Sequence, residues 1–259
     1  MPLGLGVDLR AFRLGTCDNA AVNFLAHLAL AGVPTRVTDA GHAAHATSSA
    51  VPDPLTLVGS LLPDLARDTP AFRGRRGETH PDLPAAVRHG IALHRRVDRA
   101  TDTHPAFLRT RARLAPRYGR FAGVVADVLF DYALSLRWDD PKTRDHAAAP
   151  RDFPPISRPD FIAAAHAALQ SPQARDAMPP AMARTVDAMI EHGWLLRYAD
   201  PTGLERTFFE LSIRFTRRYA RPADLTDITA HLDEHRDALL ADFDSLWRHL
   251  VDRLADQEN

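Results

Sequence analysis

Apolar residues recur along the chain at intervals of three and four, the spacing that places side chains on one face of an α-helix. No segment combines sustained apolar–polar alternation with β-branched enrichment, so the pattern predicts an all-α protein. The predicted helices cover residues 23–31, 55–65, 85–102, 105 onward, 118–138, 160–169, 180–198, 201–219 and 224–254. Loops rich in proline, glycine and small polar residues are expected at 34–54, 72–84 and 139–159.

The last predicted helix has the longest apolar stripe in the chain. Its positions are Leu225, Ile228, Leu232, His235, Leu239, Phe243, Leu246, Leu250 and Leu254. A stripe of this length predicts a helix that packs along the whole bundle. We expect a single domain over 23–259, with the helices of 23–138 followed by the C-terminal helices of about 158–255.

Composition narrows the class of protein without identifying it. Of the 259 residues, 45% are apolar and 25% are charged, which is ordinary for a globular protein. The formal net charge of -1 argues against broad nucleic-acid binding. No apolar run approaches the roughly 18 residues of a membrane span. The single cysteine, Cys17, cannot form an internal disulfide, so we expect a reducing, cytoplasmic location.

Two aspartates four residues apart interrupt the apolar run at 123–134. Asp127 and Asp131 should lie on one face of a helix that is apolar nearly all round. A buried ionised carboxylate costs several kcal/mol unless another group compensates its charge. The partner of this pair is either a divalent cation or a set of arginines.

Other candidate ligands lie upstream in apolar surroundings. His94 and Asp98 are four residues apart on the stripe that should face the core, and Asp102 extends this face by a turn. His27 is flanked by apolar residues, and Asp64 follows an apolar segment. Taken singly, each is as well explained by a core hydrogen bond or a helix end as by a ligand.

Together these residues predict a mixed histidine–aspartate metal site. Imidazole and carboxylate ligands suit Mn²⁺, Mg²⁺, Fe or Zn. Such a cluster on bundle helices can activate water for attack on phosphorus or a carbonyl carbon. Arg95, next to His94, could clamp a phosphate, although a solvated surface role is the common one for an arginine. The chain has no Walker loop, GxGxxG or GxSxG motif.

Four segments in order resemble the acyl carrier protein phosphodiesterase family, a non-canonical branch of the HD phosphohydrolases. They are 23–31 (NFLAHLALA), 59–64 (GSLLPD), 90–105 (GIALHRRVDRATDTHP) and 127–138 (DVLFDYALSLRW). Segments 194–198 and 232–235 resemble the family more loosely. The chain departs from the usual pattern at Ser60 and Tyr132, where the family usually has asparagine and histidine. Because the family begins at the first of these segments, residues 1–22 are expected to be a leader that is disordered or not translated.

The resemblance implies an HD-like helical fold and a divalent metal, manganese or, alternatively, Mg²⁺ or Fe²⁺. It implies hydrolysis of the phosphodiester that joins 4'-phosphopantetheine to the serine of holo acyl carrier protein. The implied metal and catalytic cluster consists of His27, Asp64, His94, Asp98, Asp127 and Asp131. In the resulting hypothesis, Asp98 or Asp127 orients or deprotonates water, and Arg95 neutralises phosphate charge.

A carrier protein is acidic, so we also expect a basic docking surface that includes Arg88, Arg96 and Arg99. The alternative is a charged face that is balanced by acids folded nearby. Two other functions stay open: an HD-type phosphohydrolase acting on a nucleotide or small phosphoester, and a non-catalytic helical binding module.

Overall fold

The computed structural model describes residues 24–31, 52–66, 82–140, 156–219 and 223–255. Over these residues the protein is all-α and has no strand, as the sequence predicts. The helices are α1 (Phe24–Ala31), α2 (Pro54–Leu65), α3 (Ala85–Thr103), α4 (Pro105–Tyr118), a 3₁₀ turn (Gly119–Phe121), α5 (Ala122–Asp139), α6 (Arg158–Gln170), α7 (Pro172–Ala177), α8 (Pro180–Glu191), α9 (Trp194–Arg197), α10 (Pro201–Tyr219) and α11 (Ile228–Ala255). The predicted leader at 1–22 and most of the three predicted loops lie outside the described residues.

Several helices start where a capping residue precedes proline. The carboxylate of Asp53 accepts from the backbone N–H of Thr56 at 2.9 Å, and Pro54 opens α2. Nδ1 of His104 accepts from the N–H of Ala106 at 3.3 Å at the start of α4. Such side-chain acceptors satisfy N–H groups that have no partner within the helix, so they fix where it begins.

The structure differs most from the predicted helices in three places. The segment 180–198 is not one helix, because Gly193 adopts a left-handed backbone with φ 59° between α8 and α9. The last helix begins at Ile228 rather than at residue 224, because Asp227 has φ 63°, which lies outside the range of a right-handed α-helix. The short helix α7 was not predicted, since its six residues carry no repeating apolar pattern.

The most extensive helix–helix contact joins α2 and α3 at two glycines. A Cβ built on Gly59 would lie 2.2 Å from the carbonyl oxygen of Val87, and one on Gly90 would lie 2.3 Å from that of Thr56. A side chain at either position would collide with rigid backbone. The two glycines therefore set how closely α3 approaches α2.

The helix α11 packs against α3, α4, α5 and α10. Ion pairs accompany this packing: the buried carboxylate of Asp242 accepts from Arg109 and Arg113 of α4. Asp244 accepts twice from Arg137 of α5, at 2.8 and 2.6 Å. Apolar side chains of the helices form one continuous core, and this core holds α1, α3 and α5 around the candidate site.

Candidate metal centre

Two histidines and one aspartate meet where α1 approaches α3. The imidazoles of His27 and His94 stack with their ring centroids 4.0 Å apart. Oδ1 of Asp98 lies 3.2 Å from Nε2 of His27, and its Oδ2 lies 3.1 Å from Nε2 of His94. Thus one carboxylate faces both rings, and one ligand atom from each residue lies within 4.8 Å of the others.

The backbone of α2 fixes which nitrogen of His94 faces Asp98. Nδ1 of His94 lies 2.7 Å from the carbonyl oxygen of Ser60. A carbonyl oxygen can only accept, so Nδ1 carries the proton and donates it. The close approach at Gly59 and Gly90 brings this carbonyl within reach of the ring. Nε2 of a neutral His94 therefore presents a lone pair towards Asp98.

Nε2 of a neutral His94 and Oδ2 of Asp98 are both acceptors and lie 3.1 Å apart, so they need a cation between them, either a proton or a metal ion. Burial lowers the pKa of His94, but the carboxylates of Asp64 and Asp98 outweigh it and raise the pKa overall. In the protein without a metal, the site thus favours a proton at Nε2 of His94. A metal ion can replace this proton at the same atom.

His27 offers a second nitrogen lone pair. Burial, reinforced by the neighbouring His94, lowers the pKa of His27 to about 4, so this ring is neutral near pH 7. Its Nε2 is buried and makes no hydrogen bond of acceptable geometry within the described part of the chain, despite the 3.2 Å distance to Asp98. A buried, neutral imidazole nitrogen that faces a carboxylate is a suitable metal ligand.

Asp98 connects the buried histidines to the solvent. Its side chain is 40% exposed, whereas the side chains of His27 and His94 are 1% and 2% exposed. Burial raises the pKa of Asp98, but the interactions of its carboxylate with the neighbouring imidazoles of His27 and His94 outweigh this and lower the pKa. Asp98 is therefore an anion at the mouth of the site.

Further carboxylates surround this cluster. Oδ1 of Asp64 lies 3.7 Å from Nε2 of His94, and Asp64 is buried. Asp127, on α5, is half-buried. Burial and the charges of Asp98 and Asp64, followed by those of Asp102 and Asp131, raise its pKa well above the usual range. This accumulation of negative charge favours a bound cation.

Asp131 has a partner that neither sequence hypothesis included. Its two carboxylate oxygens accept from the backbone N–H groups of Leu25 and Ala26, each at 3.0 Å. Asp131 is fully buried, and burial raises its pKa well above the usual range although these two hydrogen bonds act in the opposite direction. Asp131 thereby satisfies two backbone N–H groups in the first turn of α1, which belong to the two residues directly before His27. Its assignment as a ligand stays a prediction.

The arginines of the predicted docking surface differ in their surroundings. Arg88 donates to the carbonyl oxygen of Leu83 at 2.5 Å, Arg96 is half-buried, and Arg99 is exposed. Arg95, the predicted phosphate ligand, is half-buried one turn before Asp98. These four assignments also stay predictions.

Three further arginines, all on α4, form ion pairs with acids folded nearby. Arg109 and Arg113 bind Asp242. Arg117 binds Asp224 and Asp227, at 3.3 and 2.9 Å. Acids folded nearby thus balance the charge of these three arginines, and the docking surface stays a prediction.

Sequence reasoning did not find the supporting contacts of the site. The contact of the Ser60 carbonyl with His94 is made by the backbone, so no residue type in the sequence indicates it. The two glycines in apolar helical segments are the one available indication, because they permit the close approach of α2 and α3 that brings this carbonyl to His94. The contact of Asp131 with α1 joins segments more than 100 residues apart, so local spacing cannot reveal it.

The fold and this cluster define an all-α protein with a candidate metal centre of histidine and aspartate. The model of the acyl carrier protein phosphodiesterase family matches residues 42–250, and the chain belongs to that family. The matched span includes Asp64, His94 and Asp98, whereas His27 precedes it. The family resemblance predicted from the sequence is confirmed.

Several curated relatives are similar in sequence to this chain over most of their length. The acyl carrier protein phosphodiesterase of Photorhabdus laumondii is 30% identical over 227 residues, which cover 87% of this chain and 89% of the relative. Those of Yersinia enterocolitica and Salmonella dublin are 31% and 32% identical, covering 81% and 84% of this chain and 88% and 90% of the relatives. No solved structure matches the chain. Among the described residues, no helix has the length and apolar character needed to cross a membrane.

Proposed function

We propose that this protein hydrolyses the phosphodiester that links 4'-phosphopantetheine to the serine of holo acyl carrier protein, releasing apo carrier protein. The observation that carries the proposal is the convergence of His27, His94 and Asp98 in a chain of the acyl carrier protein phosphodiesterase family. A cytoplasmic location fits this substrate and stays a prediction. The relation to HD phosphohydrolases also stays a prediction.

The donor set fits a divalent metal. His27 and His94 would supply Nε2 atoms and Asp98 a carboxylate oxygen, with Asp64 close enough to complete the set. Two imidazoles with carboxylates suit Mn²⁺, and also Fe²⁺ or Mg²⁺, since the part of the chain that the structure describes contains no cysteine whose thiolate would select a softer ion. When bound, such a cation supplies Lewis-acid stabilisation of the charge that develops on the phosphate.

The remaining side chains have separate roles in the proposed reaction. Both carboxylate oxygens of Asp98 already face the imidazoles of His27 and His94, so this residue would orient the two rings. Asp127 is therefore the better candidate for the general base. Its raised pKa moves it towards the range in which a carboxylate accepts a proton from water effectively. Arg95, one turn from Asp98, would neutralise the phosphate oxygens. Asp131 would position His27 by fixing the first turn of α1.

Mass spectrometry of the carrier protein tests this function. Incubation of holo acyl carrier protein with the purified chain and Mn²⁺ should remove the prosthetic group, and a chelator should stop the reaction. Asp98→Asn should lower the rate at least about a hundredfold, because an essential ligand is lost. Asp233→Asn, an exposed aspartate on α11, is the matched control and should keep wild-type activity.

The same experiment separates the rival functions. A folded, metal-containing wild-type chain that leaves holo carrier protein intact but cleaves a small phosphoester would identify a different phosphohydrolase. A chain that binds no metal and cleaves neither substrate would be a binding module. Either result would reject the proposed reaction.

A further inference from the structure

The arginines of α4 occupy two different environments. Arg109 and Arg113, four residues apart, face α11 and bind the buried carboxylate of Asp242. Arg117, a further turn along, binds Asp224 and Asp227. Arg111 lies between these positions in sequence and is exposed, with no ion pair in the described part of the chain. Its guanidinium is therefore not used in holding α4 to α11.

Two observations place Arg111 beside α3 and α5, one turn away from the acidic residues of the candidate metal centre. Its Cδ lies 3.9 Å from a Cβ built on Gly123, which is one turn before Asp127 on α5. Burial and the charge of Asp98 raise the pKa of Asp102, and the charge of Arg111 acts against them. Asp102 is one turn beyond Asp98 on α3. Arg111 thus extends from α4 towards both helices that carry the acidic residues.

The charge of this mouth is a barrier to an acidic partner. Asp98, which is 40% exposed, and the exposed Asp102 add negative charge around the entrance. A carrier protein would approach with its own acidic surface, so like charges would oppose docking. An exposed arginine at the rim supplies a positive charge where the two surfaces would meet.

We propose that Arg111 is a docking residue that binds an acidic side chain of the carrier protein next to its modified serine. This inference rests on the proposed function. It assigns Arg111 to the protein part of the substrate and not to the reacting phosphate. The contact contributes to association, because the side chain is exposed and a rim charge acts chiefly on the encounter of two proteins.

Arg111→Ala tests this role through a comparison of two substrates. With holo carrier protein, KM should rise about tenfold while kcat changes less than about twofold. With bis(4-nitrophenyl) phosphate, which lacks the protein, hydrolysis should change less than about twofold. Arg111→Lys should restore most of the loss, because it keeps the charge. Arg184→Ala, an exposed arginine on α8, is the matched control and should behave as wild type towards both substrates.

Salt provides an independent readout of the same contact. The KM of the wild type for carrier protein should rise with ionic strength, and the rise should be smaller for Arg111→Ala because one charge pair is absent. An unchanged KM for carrier protein in Arg111→Ala would overturn the inference. An equal loss of activity towards the small diester would also overturn it, since Arg111 would then act on the phosphate.

Failure of the proposed function can be distinguished from failure of this inference. If the wild type does not hydrolyse holo carrier protein, the proposed function is rejected. Calorimetric binding of holo carrier protein to the wild type and to Arg111→Ala then tests docking without turnover. About tenfold weaker binding of Arg111→Ala supports the contact. Equal binding, or no binding to either protein, rejects it.

Discussion

Asp131 is the residue whose role differs most from what its sequence pattern suggests. The pattern correctly indicates a buried carboxylate that needs compensation, and the compensation comes from two backbone N–H groups of α1. This contact holds the helix that carries His27. The histidine at the site is therefore positioned by a residue of α5, although the two lie far apart in the chain.

Asp131→Ala should destabilise the protein by about 2–4 kcal/mol, because it leaves two N–H groups at the buried start of α1 without their acceptors. Urea denaturation monitored by circular dichroism measures this loss. Asp131→Asn keeps one acceptor oxygen and should lose less. If Asp131→Ala is as stable as the wild type, the carboxylate does not hold α1.

Residue types and spacing indicated most of the candidate cluster in advance. His94 and Asp98 share a helical face, and His27 and Asp64 are polar residues in apolar surroundings. Burial of such groups suggests a shared partner even before the helices are placed. Their distances, and the contact of Ser60 with His94, depend on tertiary packing and could not be predicted.

At the scale of helices, the contact of α2 with α3 controls the geometry of the site. Gly59 and Gly90 let the two backbones approach, and this approach brings the carbonyl of Ser60 to His94. A larger residue at either glycine must separate the helices, since the atoms it meets are backbone atoms.

Gly90→Ala should therefore lower the free energy of unfolding by about 1–3 kcal/mol. It should also weaken binding of Mn²⁺ about tenfold or more, because the hydrogen bond that orients His94 is disturbed. Gly123→Ala is the matched control, since among the described residues the nearest atom to its Cβ would be Cδ of Arg111, at an ordinary contact distance of 3.9 Å. That variant should be neutral or up to about 1 kcal/mol more stable. Equal stability of the two variants would contradict the role of Gly90.

The attachment of α4 to α11 should depend on pH. Burial raises the pKa of Asp242, but hydrogen bonds from Arg113, Arg109 and Thr110 outweigh it and lower the pKa below its value in the unfolded chain. The folded state therefore binds the proton less well than the unfolded state does. The stabilisation is complete above the ordinary aspartate pKa of about 3.9 and is lost as the pH falls through the folded pKa.

Asp242→Asn should accordingly cost about 1–3 kcal/mol at pH 7, a range that allows for the solvent exposure of Arg109. The difference from the wild type should shrink as the pH falls from about 4 to 2. Urea denaturation across this range measures it. A difference that is constant with pH would show that the carboxylate charge does not contribute.

Periodicity predicted the long helices better than their ends. α10 runs over the predicted residues, because a proline begins it and its apolar stripe is regular. The errors at Gly193 and Asp227 concern single residues with positive φ, which do not interrupt the apolar pattern.

Over the whole molecule, acidic and basic side chains form separate local clusters, although the net charge is close to zero. The net charge of -1 conceals an acidic cluster around His27 and His94 and arginines that bind Asp242 and Asp244. Many arginines lie between residues 88 and 120, but the sequence alone could not show which of them form ion pairs with acidic side chains. Only the fold separates those that hold helices together from those that face solvent.

The central claim is that His27, His94 and Asp98 together bind a divalent cation. Calorimetric titration of the metal-free protein with Mn²⁺ near pH 8 tests it most directly. The wild type should bind one ion, and His94→Ala and Asp98→Asn should bind at least about a hundredfold more weakly, while Asp233→Asn binds as the wild type does. No binding by the folded wild type, or equal binding by all four proteins, would contradict the claim.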